Sequence, residues 1–174
     1  MKEPAVQPTG RERTWGEEEI IVSKTDLKGV ITYVNLTFLE VSGYTEEQLL
    51  GKPHSIIRHP DMPRCVFKLL WDTIAAGNEI FAYVKNMAKS GDHYWVFAHV
   101  TPTFDSQGNI ISYHSNRRCP ERNQVRIFED LYRQLLSEEK RHPDWRQGMA
   151  AATGMLLGAV AQKKMSYDEF IFSV

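Results

Sequence analysis

The 174-residue sequence predicts an α+β fold: one five-stranded antiparallel sheet, short helices on one of its faces, and a C-terminal helical extension. Three observations predict it. Short runs of β-branched and aromatic residues occur twice before residue 35 and three times between 79 and 118. Between these groups the apolar period lengthens to that of helices, and prolines interrupt it. Past residue 120, two further helical patterns follow with no strand signal between them.

Residues 1–18 are polar, carry Pro4 and Pro8, and read as a lead-in that is flexible or a helical cap. The domain proper spans 19–120. Ile20-Ile21-Val22 begin the first strand, Asp26-Leu27-Lys28-Gly29 turn the chain, and Val30 to Val34 return it as a hairpin. From Asn35 the period changes: Phe38, Leu39, Val41 and Tyr44 fit a short helix that Gly43 ends. Thr45 with Gln48 three residues on is a capping box. Pro53, Pro60 and Pro63 forbid a long helix through 52–63. After Pro63, Val66, Phe67, Leu69, Leu70 and Ile74 recur at helical spacing up to Gly77. Strands follow at 79–87, 93–103 and 109–118, with turns at Ser90-Gly91 and Asp105 to Asn109. The extension, 121–174, holds a charged helix to Lys140 and, after His142-Pro143-Asp144, a second rich in Ala, Gly and Met.

Composition narrows the function. Lys and Arg number 21 against 22 Asp and Glu, a balance that argues against a broad nucleic-acid or anionic-lipid surface. Cys65 and Cys119 lack metal-ligand spacing and read as free thiols of a reducing compartment. No apolar run reaches the ~20 residues of a membrane span, and the start MKEPAVQPTG lacks a secretory core, so a cytoplasmic location without membrane insertion is expected. No nucleophile elbow, phosphate loop or zinc-protease motif is present, and Glu46-Glu47 and Glu138-Glu139 read as solvated helix charges. An enzyme is not expected.

Three segments carry more information: Tyr33-Val34-Asn35-Leu36-Thr37-Phe38 leading to Val41-Ser42-Gly43-Tyr44; Arg58-His59-Pro60-Asp61-Met62-Pro63; and Val84-Lys85-Asn86 with Lys89-Ser90-Gly91-Asp92-His93-Tyr94-Trp95-Val96. Together they resemble the PAS domain of aerotaxis (Aer) receptors and related PAS-only energy-taxis proteins, over about residues 19–120. The resemblance implies a PAS fold, non-covalent FAD and a redox-sensing role.

A flavin needs apolar walls, a few polar groups at the ring edge and cations near its phosphates. Arg58 and His59 sit where they can supply positive charge. The alternative for this run is a loop lock, with Asp61 capping the next helix and Arg58 paired to it. Asn86, near a strand end, offers the donor and acceptor that a uracil-like ring edge requires, and matches an asparagine that contacts flavin in LOV photosensors; the alternative is a solvent-facing turn residue. For Asn35, helix capping and ligand contact are both open. Trp71 packs in the core or meets the ring system. Where the taxis receptors often carry Trp on the first strand after Gly77, this sequence has Ile80-Phe81: either Phe81 replaces that aromatic wall or the pocket is altered or empty. At the LOV cysteine position stands His54, which disfavours light-driven adduct chemistry.

The strand 92–103 alternates, and the resemblance to LOV domains implies that Tyr94, Val96, Ala98 and Val100 face the slot, while His93, Trp95, Phe97 and His99 make an aromatic outer face that a helix or second subunit must cover. The two histidines, six residues apart and so spread over ~20 Å, cannot share a metal. The partners expected are a second copy, through this outer face and the N-terminal segment, and a separate chemoreceptor-like signalling protein met by the helix Arg122 to Lys140. The competing readings are a cofactor-free PAS interaction module and a haem-binding gas sensor, for which His54, His59 and His114 are the candidate ligands.

Overall fold

The computed structural model describes residues 6–174. The strands are β1 (Ile21–Thr25), β2 (Ile31–Val34), β3 (Ile80–Met87), β4 (His93–Phe104) and β5 (Ile110–Arg118), in one antiparallel sheet ordered β2-β1-β5-β4-β3. Helices α1 (Leu36–Ser42), α2 (Glu46–Leu49) and α3 (Arg64–Ala75), with a 3-10 turn at His54–Ile57, connect β2 to β3. Helices α4 (Arg122–Lys140), α5 (Trp145–Gln162) and α6 (Tyr167–Phe172) follow β5. The last strand lies between the first and the fourth, so the sheet closes only when sequence-distant segments meet at β5.

Local chemistry sets the ends as the sequence predicts. Gly43 takes φ +71°, the left-handed turn that stops α1, and the Gln48 side chain accepts from the Thr45 N–H. Asn35 resolves as a cap and a tie: its Oδ1 accepts from Phe38 N (3.1 Å) and Val22 N (2.9 Å), and its Nδ2 donates to the Ile20 carbonyl (2.7 Å). This one side chain fixes α1 to β1.

The outer face is covered from within the chain. Phe128 of α4 stacks on Tyr83 with ring centroids 4.1 Å apart, Tyr132 stacks on Trp95, and the Tyr132 hydroxyl donates to the Tyr83 carbonyl at 2.6 Å. Phe172 of α6 packs against Phe81 and Phe97. The outer face therefore does not stand free for the second subunit that the sequence expectation placed there: α4 and α6 bury most of its aromatic area. The lead-in also differs from expectation. Over residues 9–13 it is neither helical nor loose, but extended beside β4, with Thr9 N–H on Gly91 O and the Arg11 to Arg13 backbone exchanging hydrogen bonds with His93. It fills the place that β5 leaves vacant where it ends at Arg118.

Helix α5 packs on α4 through Gly148, Ala152, Leu156 and Val160, one residue per turn. At the crossing the two backbones nearly touch: a β-carbon on Gly148 would lie 2.3 Å from the Glu139 carbonyl oxygen. Glu139 in turn accepts from the Cys65 N–H at 2.8 Å and so serves the N-terminus of α3. That is the duty the sequence assigned to Asp61. Gly148→Ala is expected to lower unfolding free energy in urea by about 1–3 kcal/mol through overpacking. Gly154→Ala, in open space on the same helix, is expected to raise it by about 0.5–1 kcal/mol. Equal effects at the two sites would disprove the close crossing.

Candidate functional site

Between the inner face of the sheet and α3 lies a cavity of about 560 Å³, within the range of small-molecule and cofactor sites. Its walls are Val84, Val96, Ala98 and Val100 from β3 and β4, facing Leu70 and Ile74 of α3. Strand alternation puts these short side chains on one face, with Tyr94 beyond the lining of the cavity, and Phe81, Tyr83, Trp95 and Phe97 on the other. The inner face thus stays hollow while the outer one packs. Leu70, Ile74, Ile80, Val100 and Tyr113 form a small cluster that pins α3 to the sheet beside the cavity.

The deep end is polar. Arg117 of β5 is only 2% exposed, and its guanidinium lies 4.6 Å over the Phe38 ring. Its Nη2 donates to Ser23 Oγ, which also meets His54 Nε2 at 3.0 Å. Nε and Nη1 of Arg117 have no partner among the described residues, and neither does the nearby buried Thr25 Oγ1. Burial pushes the guanidinium down to about 10, so it stays charged at neutral pH. The same burial, with the Arg117 cation beside it, pushes His54 down to about 3 and holds it neutral. Asn86 is buried on β3 with its side chain on the cavity, and its amide makes no hydrogen bond among the described residues.

Arg58 lines the cavity next to it. Its backbone bridges that of Asn86, its guanidinium lies 4.4 Å over Phe67, and Nη2 donates to the Met62 carbonyl. Toward solvent the lining is Lys28, Arg64, Lys68, Trp71 and Trp145. Five cationic side chains therefore line the cavity, and no carboxylate does among the described residues, a bias toward an anionic or electron-rich ligand.

Of the seven residues singled out from sequence, Arg58, Trp71 and Asn86 meet here. Asn35 does not, because its amide is fully used in the α1–β1 tie. His59 is buried but turned away: its Nδ1 accepts from the Asp61 N–H at 3.1 Å, and its ring lies edge-on to His93 at 5.8 Å. Burial, then the Lys85 charge, lowers His59 to about 4. Asp61 reaches round the sheet edge to Lys85 on the outer face, at 2.9 Å, and does not pair with Arg58. Phe81 is one position out of phase for the cavity: Ile80 and Ala82 point inward, and Phe81 stacks on His99 outside, with centroids 4.2 Å apart. Sequence reasoning passed over Arg117, Ser23, Thr25, Arg64 and Trp145. For Arg117 a signal existed, since it shares strand parity with the buried Tyr113. Neither Cys65 nor Cys119 lines the cavity.

A flavin fits this donor set: an apolar slot, an unbonded amide on one wall, an orphaned buried guanidinium at its deep end and cations at its mouth. Among the described residues no cluster of His, Cys, Asp or Glu could hold a metal ion, and no helix is long and apolar enough to cross a membrane.

The family model for the PAS fold matches residues 31–117, half of the chain. The aerotaxis receptor of Escherichia coli K12 is 41% identical over 119 residues, 68% of this chain and 23% of the receptor. The nitrogen fixation regulatory protein of Klebsiella pneumoniae is 28% identical over 102 residues, 59% of this chain and 21% of that protein. The chain thus spans less than a quarter of the length of these two relatives. Among solved structures, the dark state of the blue-light photoreceptor Aureochrome1 LOV superposes with a TM-score of 0.57 at 24% identity, covering 63% of this chain and 82% of that one.

Two outcomes follow from the buried charges. Replacing an unpaired buried ion by an apolar side chain removes a desolvation cost of several kcal/mol. The variant Arg117→Met is therefore expected to raise the melting temperature of the ligand-free chain, and a lower one would mean the charge has an internal partner. For His54 the folded value lies below the unfolded one of about 6.5, so acid favours the unfolded chain, which takes up the proton. The melting temperature should fall as pH drops from about 6.5 toward 3, and less steeply in His54→Gln.

Proposed function

The chain belongs to the PAS family, in its aerotaxis-receptor type, and from that premise we propose that it is a redox or energy sensor holding FAD non-covalently. The observation that carries the reading is Arg117. A guanidinium buried with two unbonded nitrogens, at the end of a carboxylate-free cavity, is costly unless an electron-rich ligand meets it. The similarity to the aerotaxis receptor supports the sensory role, and the absence of any catalytic motif in the sequence supports a non-enzymatic one.

A bound flavin supplies reversible uptake of electrons and protons at its ring. Asn86 offers that ring a donor and an acceptor from β3, and Arg117 favours added negative charge at the deep end. The valines and Ala98 of the wall exclude water. Strand β3 carries the consequence outward. Asn86 points inward and its neighbour Lys85 points outward, where Lys85 meets Asp61 at 2.9 Å and Glu129 of α4 at 3.9 Å. Any shift of β3 that follows the hydrogen bonding of Asn86 is felt by α4 through Lys85 and through the Tyr132 hydroxyl on the Tyr83 carbonyl. Helix α4 then changes what it presents to a separate, chemoreceptor-like signalling protein in the cytoplasm. The matched segment is only 23% of the aerotaxis receptor, which supports placing the output outside the sensor fold.

The test is the absorption spectrum of the purified chain, supplied with FAD, before and after dithionite. Two visible bands that bleach, with FAD released by boiling, are expected. A Soret band would transfer the cavity to haem, and a colourless chain would leave only an interaction module. Asn86→Ala is expected to weaken flavin binding about tenfold, the scale of one hydrogen-bonding group lost from a buried site, as read by quenching of flavin fluorescence.

A further inference from the structure

The cavity is not confined to the matched PAS segment. Helix α5, beyond residues 31–117, adds Trp145 and Met149 to its lining. Trp145 stands at the first turn of α5 and is 47% exposed, a large indole left in water at the cavity mouth. Cations surround it. The Arg64 guanidinium lies 5.5 Å from its ring centroid and that of Arg146 lies 4.6 Å away. Lys28 and Lys68 complete the exposed rim. Among neighbouring carboxylates, Asp144 accepts from the Arg146 N–H as the cap of α5, Glu139 accepts from the Cys65 N–H, and Asp72 pairs with the rim's Lys68. Arg64 and Lys28 have no carboxylate partner among the described residues. An aromatic plate flanked by two guanidiniums that form no ion pair among the described residues has the chemistry of a nucleotide site, where a base stacks and phosphates are neutralised.

Resting on the flavin reading, we infer that Trp145 and Arg64 form the subsite for the AMP half of a flavin dinucleotide, so that α5 makes this chain select FAD over FMN. Burial orders the parts. The ring system belongs with Arg117 and Asn86, the diphosphate passes Arg58 and Arg64, and the adenine lies on the indole of Trp145. The C-terminal extension is then part of the binding site as well as a cover for the sheet. In the ligand-free chain, Arg64 over the indole is a cation already held where a phosphate would pass.

Titration of the full chain with riboflavin, FMN and FAD, followed by flavin fluorescence, separates the contributions. Affinity is expected to rise from riboflavin to FMN through the rim cations, and again by about tenfold from FMN to FAD through the stack. Trp145→Ala should abolish the second step and leave riboflavin and FMN within twofold, which also shows that the fold is intact. Trp145→Phe should keep most of the step, and Arg64→Gln should lower FMN and FAD but spare riboflavin. Equal affinity of the wild-type chain for FMN and FAD would overturn the inference while leaving the flavin reading standing. So would an equal loss for all three ligands in Trp145→Ala. Binding of none of the three would remove both.

Discussion

The two faces of one sheet have opposite tasks, and the structure depends on keeping them apart. Along β3 and β4, successive side chains alternate between short aliphatics that leave a cavity open and aromatics that must be covered. A slip of one residue would put Tyr83 and Trp95 into the cavity and the valines under α4. Register is therefore heavily specified. β5 is clamped between β1 and β4, the lead-in pairs with the start of β4, and the Tyr132 hydroxyl holds a β3 carbonyl.

Strand β3 is one of the two edges of the sheet, and it joins the cavity to α4. Edge strands expose unpaired backbone groups, and here the loop from Arg58 to Met62 covers them: Arg58 bridges Asn86, and the Lys85 N–H meets Met62 Sδ. That loop straddles the edge, with Arg58 on the cavity side and Asp61 on the outer side with Lys85. Its local lock of His59 and Asp61 keeps the two ends in fixed relation. An edge strand is easier to displace than a central one, because one of its sides is held by loop and side-chain contacts in place of a full ladder.

The buried guanidinium of Arg117 runs against fold stability. It sits over Phe38 with a single neutral oxygen as partner, and its charge adds to the burial that keeps His54 unprotonated. A protein selected only for stability would place an aliphatic residue there. Thr25 Oγ1 and Tyr94 Oη are also buried without a partner among the described residues, but Arg117 is the one that carries a full charge.

The sequence by itself determined the element order through α5, the helix stops at Gly43 and Gly77, the capping of α2 and the two-faced alternation of β4, because each follows from local sterics or from a period of two or 3.6 residues. It led to Arg58, Trp71 and Asn86, which line the cavity, since motif and strand position coincide there. It misplaced Asn35, His59, Asp61 and Phe81, whose partners lie 15, 34, 24 and 18 residues away or on the far side of a strand. Only the tertiary structure decided that α4 and α6 close the sheet, that Glu139 serves α3, and that Trp145 stands beside Arg64. These are meetings of elements far apart in the chain. Which surfaces meet is set by the packing of whole faces, and no window of local sequence contains that information.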